Sequence, residues 1–149
     1  MISYSQIVVG TDGSDSSLKA VKTAASLARV YAAELTIVCA YFGDSDPITA
    51  KAHSEFHATP IFTEETATEI LAEAAQAAQS EGFDAPKTIT KSGSAAAVLL
   101  HVAEEISADL LVVGNRGLDS LLGRLLGNIP GEVSRRADID VMLVNTAEA

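Results

Sequence analysis

Apolar residues along this chain occur in two patterns. In one they stand shoulder to shoulder: Ile7-Val8-Val9, Leu35 to Tyr41, the LLVVG stretch that Asp109 opens, and VMLVN from Val141 to Asn145. Short unbroken runs of this kind read as strands covered on both faces, the condition of a parallel sheet. In the other pattern apolar residues recur at helical spacing. Leu18, Val21, Ala25 and Ala28 do so behind the turn cluster Gly10-Thr11-Asp12-Gly13, with Ser14 or Asp15 as the cap and Lys19, Lys22 and Arg29 left for water, which predicts a helix to about Ala32. Thr63 caps a second helix with the stripe Ala67, Ile70, Leu71, Ala74 and Ala78, stopped by Gly82. Leu99, Val102, Ala103 and Ile106 mark a third behind Gly93-Ser94, and Gly131 to Ala137 a fourth, with Arg135 and Arg136 at its C-terminal end.

Lys87 to Lys91 alternates threonine with Ile89 between two lysines and reads as a strand at a sheet edge. Five strands alternating with four helices predict a doubly wound, three-layer α/β/α sandwich of the Rossmann or flavodoxin type, with a five-stranded parallel sheet in one domain over residues 1–149. Ligands of such sheets bind at the carboxyl ends of the strands, where the strand order reverses. The loops there are Gly10 to Ser14, Ala40 to Gly43 and Gly114 to Gly117. An edge position for Val141–Asn145 would leave apolar side chains and unpaired backbone groups exposed, and a homodimer through this strand is the natural remedy.

The stretch 43–60 keeps no period and reads as a surface loop. His53 and His57 lie four apart within it, near Glu55, but two histidines with no assured helix and no further ligand read as solvated loop residues. His101, beside the apolar face of its helix, reads as a partly buried structural histidine.

Composition narrows the function. The chain of 149 residues is 48% hydrophobic and 5% aromatic, so its core is aliphatic. Cys39 is the single cysteine and sits in an apolar run, which fits a buried thiol in a reducing compartment. The N-terminal MISYSQIVVG has neither the basic start nor the long apolar stretch of a signal peptide, and no run reaches the roughly 20 residues of a membrane span, which together predict a soluble, cytoplasmic protein. A formal net charge of -10 argues against nucleic acid or an anionic membrane as the partner. A small phosphate-bearing ligand stays compatible with it where backbone amides converge.

Such a place is offered by LLVVGNRGLDSLLGRLLGNIP, residues 110–130. Gly114, Gly117 and Gly127 with Asn128 spell G-x2-G-x9-G-N at the end of a strand and ahead of a helix. Glycines there let a ligand approach the backbone, and a helix N-terminus supplies free N–H groups and positive potential for an anion. The same glycines also suit ordinary turns.

Together with VVGTDGSDSS and GRLLGNIPGEVSRRADIDVMLV, these residues resemble the single-domain, nucleotide-binding branch of the universal stress protein family, over the whole chain except 43–60. The resemblance implies ATP as ligand, with Thr11 and Asp12 against the adenosine and the Asp12 carboxylate near the ribose or a nucleotide-bound Mg²⁺. It implies that Ala40 meets the adenine edge through its backbone, that Val113 and Gly114 hold the ribose, and that Gly117, Gly127, Asn128, Ile129 and Pro130 wrap the phosphates. Arg116 joins this set on charge and position, with Arg124 a weaker addition. The family usually carries Ser or Thr where this chain has Asn128, and Pro130 removes one N–H from the phosphate donors. Cyclic AMP, preferred by some members and needing fewer donors, is therefore the alternative ligand.

The sequence lacks the G-x4-G-K-(S/T) phosphate loop, and Asp12 is the only obvious carboxylate at the expected site. The expectation is a stress or signalling regulator with no catalytic residues and at most slow ATP hydrolysis. A ligand-free dimeric interaction module is the remaining alternative.

Overall fold

The computed structural model describes residues 1–42, 63–115 and 129–146. Over these the chain runs β1 (Gln6–Gly10), α1 (Asp15–Tyr31), β2 (Glu34–Tyr41), α2 (Glu64–Ser80), β3 (Lys87–Ser92), α3 (Ala95–Glu105), β4 (Leu110–Gly114), α4 (Ile129–Arg136) and β5 (Asp140–Val144). All strand pairs are parallel and the order across the sheet is β3-β2-β1-β4-β5. This is the predicted three-layer α/β/α sandwich.

The unbroken apolar runs are explained by a sheet covered on both sides. Ile7, Val9, Leu35, Ile37, Leu110 and Val112 pack under α1 and α2. Their neighbours Val8, Val38, Leu111 and Val113 pack under α3 and α4 on the opposite face, as the two-residue period of a strand requires. Alanines Ala20, Ala24, Ala25, Ala28, Ala67, Ala74 and Ala78 make up most of the first helical layer, letting α1 and α2 lie close to the sheet and to each other.

Local chemistry sets the helix ends. Ser14, not Asp15, caps α1: its side chain accepts from Ser17 N at 3.1 Å, while Asp15 occupies the first turn where a negative charge suits the dipole. Ala32 ends α1 in the left-handed region at φ 54°. Thr63 Oγ1 accepts from Thr66 N at 3.1 Å to start α2. The last helix begins at Ile129, two residues before the predicted Gly131, because a proline in the first turn lacks an N–H that would have no partner within the helix anyway. The final strand spans Asp140–Val144, one residue earlier at each end than Val141–Asn145.

At the amino ends of the strands, Asp109 joins β4 to β1. Its carboxylate accepts from Ser5 N at 2.8 Å, Ser5 Oγ at 2.9 Å and Gln6 N at 3.0 Å. Partial burial pushes this carboxyl up, but the hydrogen bonds from Ser5 and Gln6 outweigh it and hold the group below the ordinary carboxylate range. The two edges of the sheet differ. On β3, Lys87 pairs with Glu34 at 3.0 Å and Lys91 with Glu105 at 2.7 Å. On β5, Leu143 is 49% exposed. Among the described residues no helix is long and apolar enough to cross a membrane.

Candidate functional site

Strand order reverses between β1 and β4. From β1 the chain crosses to β2 on one side, and from β4 to β5 on the other, so the loops leaving their carboxyl ends part and open a crevice. Gly10, Thr11 and Asp12 line it from the end of β1, Val38 and Ala40 from β2, and Val113 and Gly114 from β4. The first turns of three helices contribute Ser17 of α1, Ala95 of α3, and Ile129 and Pro130 of α4, with Leu99 one turn deeper in α3. Helix N-termini carry partial positive charge, so their convergence favours an anionic ligand in a protein of net charge -10.

The loop after β1 is held by its own side chains. Ser17 Oγ donates to Ser14 O at 2.9 Å and accepts from Asp12 N at 3.3 Å. With its proton thus committed, Ser17 Oγ is the acceptor in the 2.9 Å contact with Thr11 Oγ1, which accepts in turn from Gly13 N at 3.3 Å. Asp12 Oδ1 accepts from Ser14 N at 2.8 Å. Three successive backbone N–H groups, of Asp12, Gly13 and Ser14, are therefore satisfied inside the loop. What the loop presents to the crevice is a carboxylate on a stiff turn, not a cradle of amides.

Ala40 faces the crevice with its backbone. Val38 O accepts from Thr11 N at 2.9 Å, and Tyr41 O accepts from Gly93 N at 2.9 Å. Residues of opposite parity on β2 thus address opposite neighbours, the even ones β1 and the odd ones β3. By register Gly10 lies opposite Val38, so the place opposite Ala40 would fall to Asp12, where the chain has already turned away. Among the described residues only a weak thiol contact, from Cys39 to the carbonyl at 3.7 Å, meets the Ala40 N–H and C=O, which point along the crevice as one donor and one acceptor. Val38, Leu99 and Val113 supply apolar walls beside this edge. The floor is close-packed, since a Cβ on Gly10 would stand 3.0 Å from both methyl groups of Leu99.

The arrangement fits a flat base with a donor-acceptor edge, slotted between aliphatic walls and carrying a negative charge towards the helix ends. Asp12 is the one ionisable side chain among the described residues lining the crevice. A hard cation could use its second carboxylate oxygen and would take its remaining ligands from phosphate and water.

The Universal stress protein family matches the chain over residues 3–145. The chain belongs to this family. Universal stress protein Rv1636 of Mycobacterium tuberculosis is 40% identical over 152 residues, spanning 98% of this chain and 99% of the relative. Universal stress protein YxiE of Bacillus subtilis is 32% identical, spanning 95% and 99%. Among solved structures, a universal stress protein in complex with cAMP is 40% identical, covers 98% of this chain and all of the other, and superposes with a TM-score of 0.73.

Of the residues that the family resemblance assigned to a nucleotide, Thr11, Asp12, Ala40, Val113, Gly114, Ile129 and Pro130 lie together on the crevice. Arg116, Gly117, Gly127 and Asn128 lie outside the described residues, as do Arg124, His53, Glu55, His57 and the rest of the 43–60 stretch. Ser17, Ala95 and Leu99 line the same crevice and were not singled out from sequence. Ser17 was one serine of a capping cluster, and Leu99 one position of a buried stripe; which end of a stripe borders a crevice depends on where the strand order turns back.

One expectation is corrected. His101 is not partly buried: its side chain is 63% exposed, with Nε2 3.1 Å from Glu105 one turn on. The buried stripe of α3 is Ala96, Val98, Leu99, Val102 and Ala103, and at 100° per residue position 101 falls on the opposite side. Cys39 is buried as expected, and burial, aided by the nearby Asp12 charge, pushes its thiol up to about 12. A thiol held neutral in this way is a packing group, not a reactive nucleophile.

Proposed function

We propose that this protein binds an adenine nucleotide in the crevice between β1 and β4 and acts as a stress or signalling regulator whose shape or pairing responds to that ligand. The observation that carries the reading is the Ala40 backbone edge, left without a strand partner among the described residues and set between aliphatic walls at the meeting point of three helix N-termini.

Cyclic AMP suits the described residues best. It carries one negative charge against the Asp12 carboxylate, the loop after β1 offers no free amides to a polyphosphate, and Pro130 contributes no N–H. The relative in complex with cAMP, at 40% identity over nearly the whole chain, supports the same choice. ATP with Mg²⁺ is the second reading, favoured by the G-x2-G-x9-G-N spacing; Mg²⁺ would then be held through the oxygen of Asp12 that Ser14 N does not occupy. Asp12 is the one candidate general base among the described residues of the crevice, and the role proposed is that of a binder with at most slow ATP hydrolysis. The exposed edge of β5, with Leu143 facing out, is the surface through which two copies would pair.

Calorimetric titration of nucleotide-stripped protein with cyclic AMP, and in parallel with ATP plus Mg²⁺, tests the proposal. Heat of binding for either, lost in Gly117→Ala with melting temperature kept, supports a nucleotide site that includes the glycine motif. Silence from both nucleotides would overturn the reading and leave the ligand-free interaction module.

A further inference from the structure

Beyond β5 the chain makes contacts that the binding role does not by itself require. Thr146 is a polar residue only 6% exposed, two positions past the end of the strand. Its hydroxyl accepts from Ser16 Oγ at 2.6 Å and donates to Asn115 Oδ1 at 3.2 Å, and its backbone N–H donates to the same Oδ1 at 3.0 Å. Asn115 N donates to Val144 O at 2.8 Å, and Asn115 Nδ2 reaches Asn145 Oδ1 at 3.5 Å. The three elements so tied are the first turn of α1, the exit from β4 and the exit from β5. Two of these line the crevice: Ser16 directly precedes Ser17, and Asn115 follows Gly114 directly.

The packing is as close as the hydrogen bonding. A Cβ on Gly114 would stand 3.0 Å from the Thr146 methyl group, so Thr146 lies flat against the backbone of the crevice wall. A hydroxyl that both accepts and donates in one line, next to an amide oxygen taking two N–H or O–H bonds, leaves each partner one orientation.

We propose that Asn115 and Thr146 are positioning residues: a polar clasp that fixes Gly114 and the first turn of α1 at the spacing the ligand needs, and that ties that spacing to the end of the edge strand β5. The clasp rests on the nucleotide reading for its purpose but not for its existence. Because β5 exits through Thr146, displacement at this edge is carried by two hydrogen bonds to Asn115 and by one to α1.

The test uses full-length protein and three substitutions. Thr146→Val keeps the shape and removes the hydroxyl; Thr146→Ser keeps the hydroxyl and removes the methyl; Ser16→Ala removes the hydroxyl that ties Thr146 to α1. Titrations with cyclic AMP and with ATP plus Mg²⁺ are run beside melting curves and amide hydrogen exchange at Asn115 and Thr146 in ligand-free protein. The expected result is a loss of affinity of about five- to twentyfold in T146V, recovery to within about twofold in T146S, a smaller loss in S16A, and faster exchange at Asn115 and Thr146 in T146V alone. Equal loss in T146V and T146S would assign the effect to the methyl contact with Gly114 and overturn the clasp. Wild-type affinity in T146V would overturn it as well. If the wild-type protein binds neither nucleotide, the nucleotide reading falls; exchange then judges the clasp, and unchanged exchange in T146V removes it too.

Discussion

Gly13→Ala isolates the demand that the loop after β1 makes on its backbone. Gly13 has φ 85°, and a Cβ there would lie 3.0 Å from Ile70 Cγ1 and 3.2 Å from Ile70 Cδ1. The left-handed region costs an L-residue about 1–2 kcal/mol. Carbon atoms prefer about 3.5–4.0 Å, so the new methyl overlaps Ile70 by roughly half an ångström. Ile70 is partly buried in the second turn of α2 and yields only in part, which adds about 1 kcal/mol. Against this the unfolded chain loses freedom worth about 0.4–1 kcal/mol on replacing glycine. The net is about 2 kcal/mol of destabilisation, or a fall in melting temperature of about 4–8 °C for a chain of this size. Circular dichroism melts read the fall, and urea midpoints give the free energy. A cycle with Ile70→Ala separates the two causes: the coupling between the sites should be about 1 kcal/mol, and the remainder of the Gly13→Ala effect should persist in the double variant. A melting temperature for Gly13→Ala equal to or above wild type would refute the reasoning.

Other expectations follow from the same structure. Asp12→Asn keeps the acceptor for Ser14 N but removes the charge; cyclic AMP should bind about fivefold tighter and ATP with Mg²⁺ weaker, since one charge about 5 Å away through a water-like medium is worth about 1 kcal/mol. Titration of both nucleotides measures it, and equal shifts of one sign would contradict the assignment of Asp12. Leu143→Lys places a charge on the exposed edge of β5 and should leave monomers in analytical ultracentrifugation at concentrations where wild type pairs. Asp109 is held below its ordinary range, so its contribution is present above the unfolded value of about 4 and disappears as pH falls through the lower folded value. Urea midpoints should accordingly drop below about pH 4, with a shallower drop in Asp109→Asn. Leu111→Ala removes a fully buried side chain at the centre of the sheet and should cost about 2–5 kcal/mol by urea unfolding.

The architecture was legible because each central strand is an unbroken apolar run and each long helix carries its own cap and stop. Ser14, Thr63 and Gly82 mark the ends of α1 and α2 by chemistry that acts within a few residues. The misreadings have equally local causes. The helix expected from Gly131 starts at Ile129 because its first turn accepts Pro130, and His101 lies beside the apolar stripe in sequence while its 100° step carries it to the far side of α3. Residues drawn from the chain as Thr11, Asp12, Ala40 and Gly114 do meet at one crevice. That β1 leaves the Ala40 backbone without a strand partner was not legible, because it depends on β1 stopping one register step short. Nor was the cluster of Ser16, Asn115 and Thr146, whose outer members are 130 positions apart and which no spacing rule connects.

The unlike edges of the sheet set a limit on growth. At β3 the lysines are engaged with Glu34 and Glu105, and a strand laid alongside would have to desolvate charges. At β5 Leu143 faces outward, and among the described residues no strand pairs with its outer edge. A sheet attractive at both sides adds copies end to end without a stopping rule. With one receptive side, two copies related by a twofold axis each consume the other's edge, and the extended sheet then shows a β3 at either end. If copies pair through this strand as proposed, assembly would terminate itself at two.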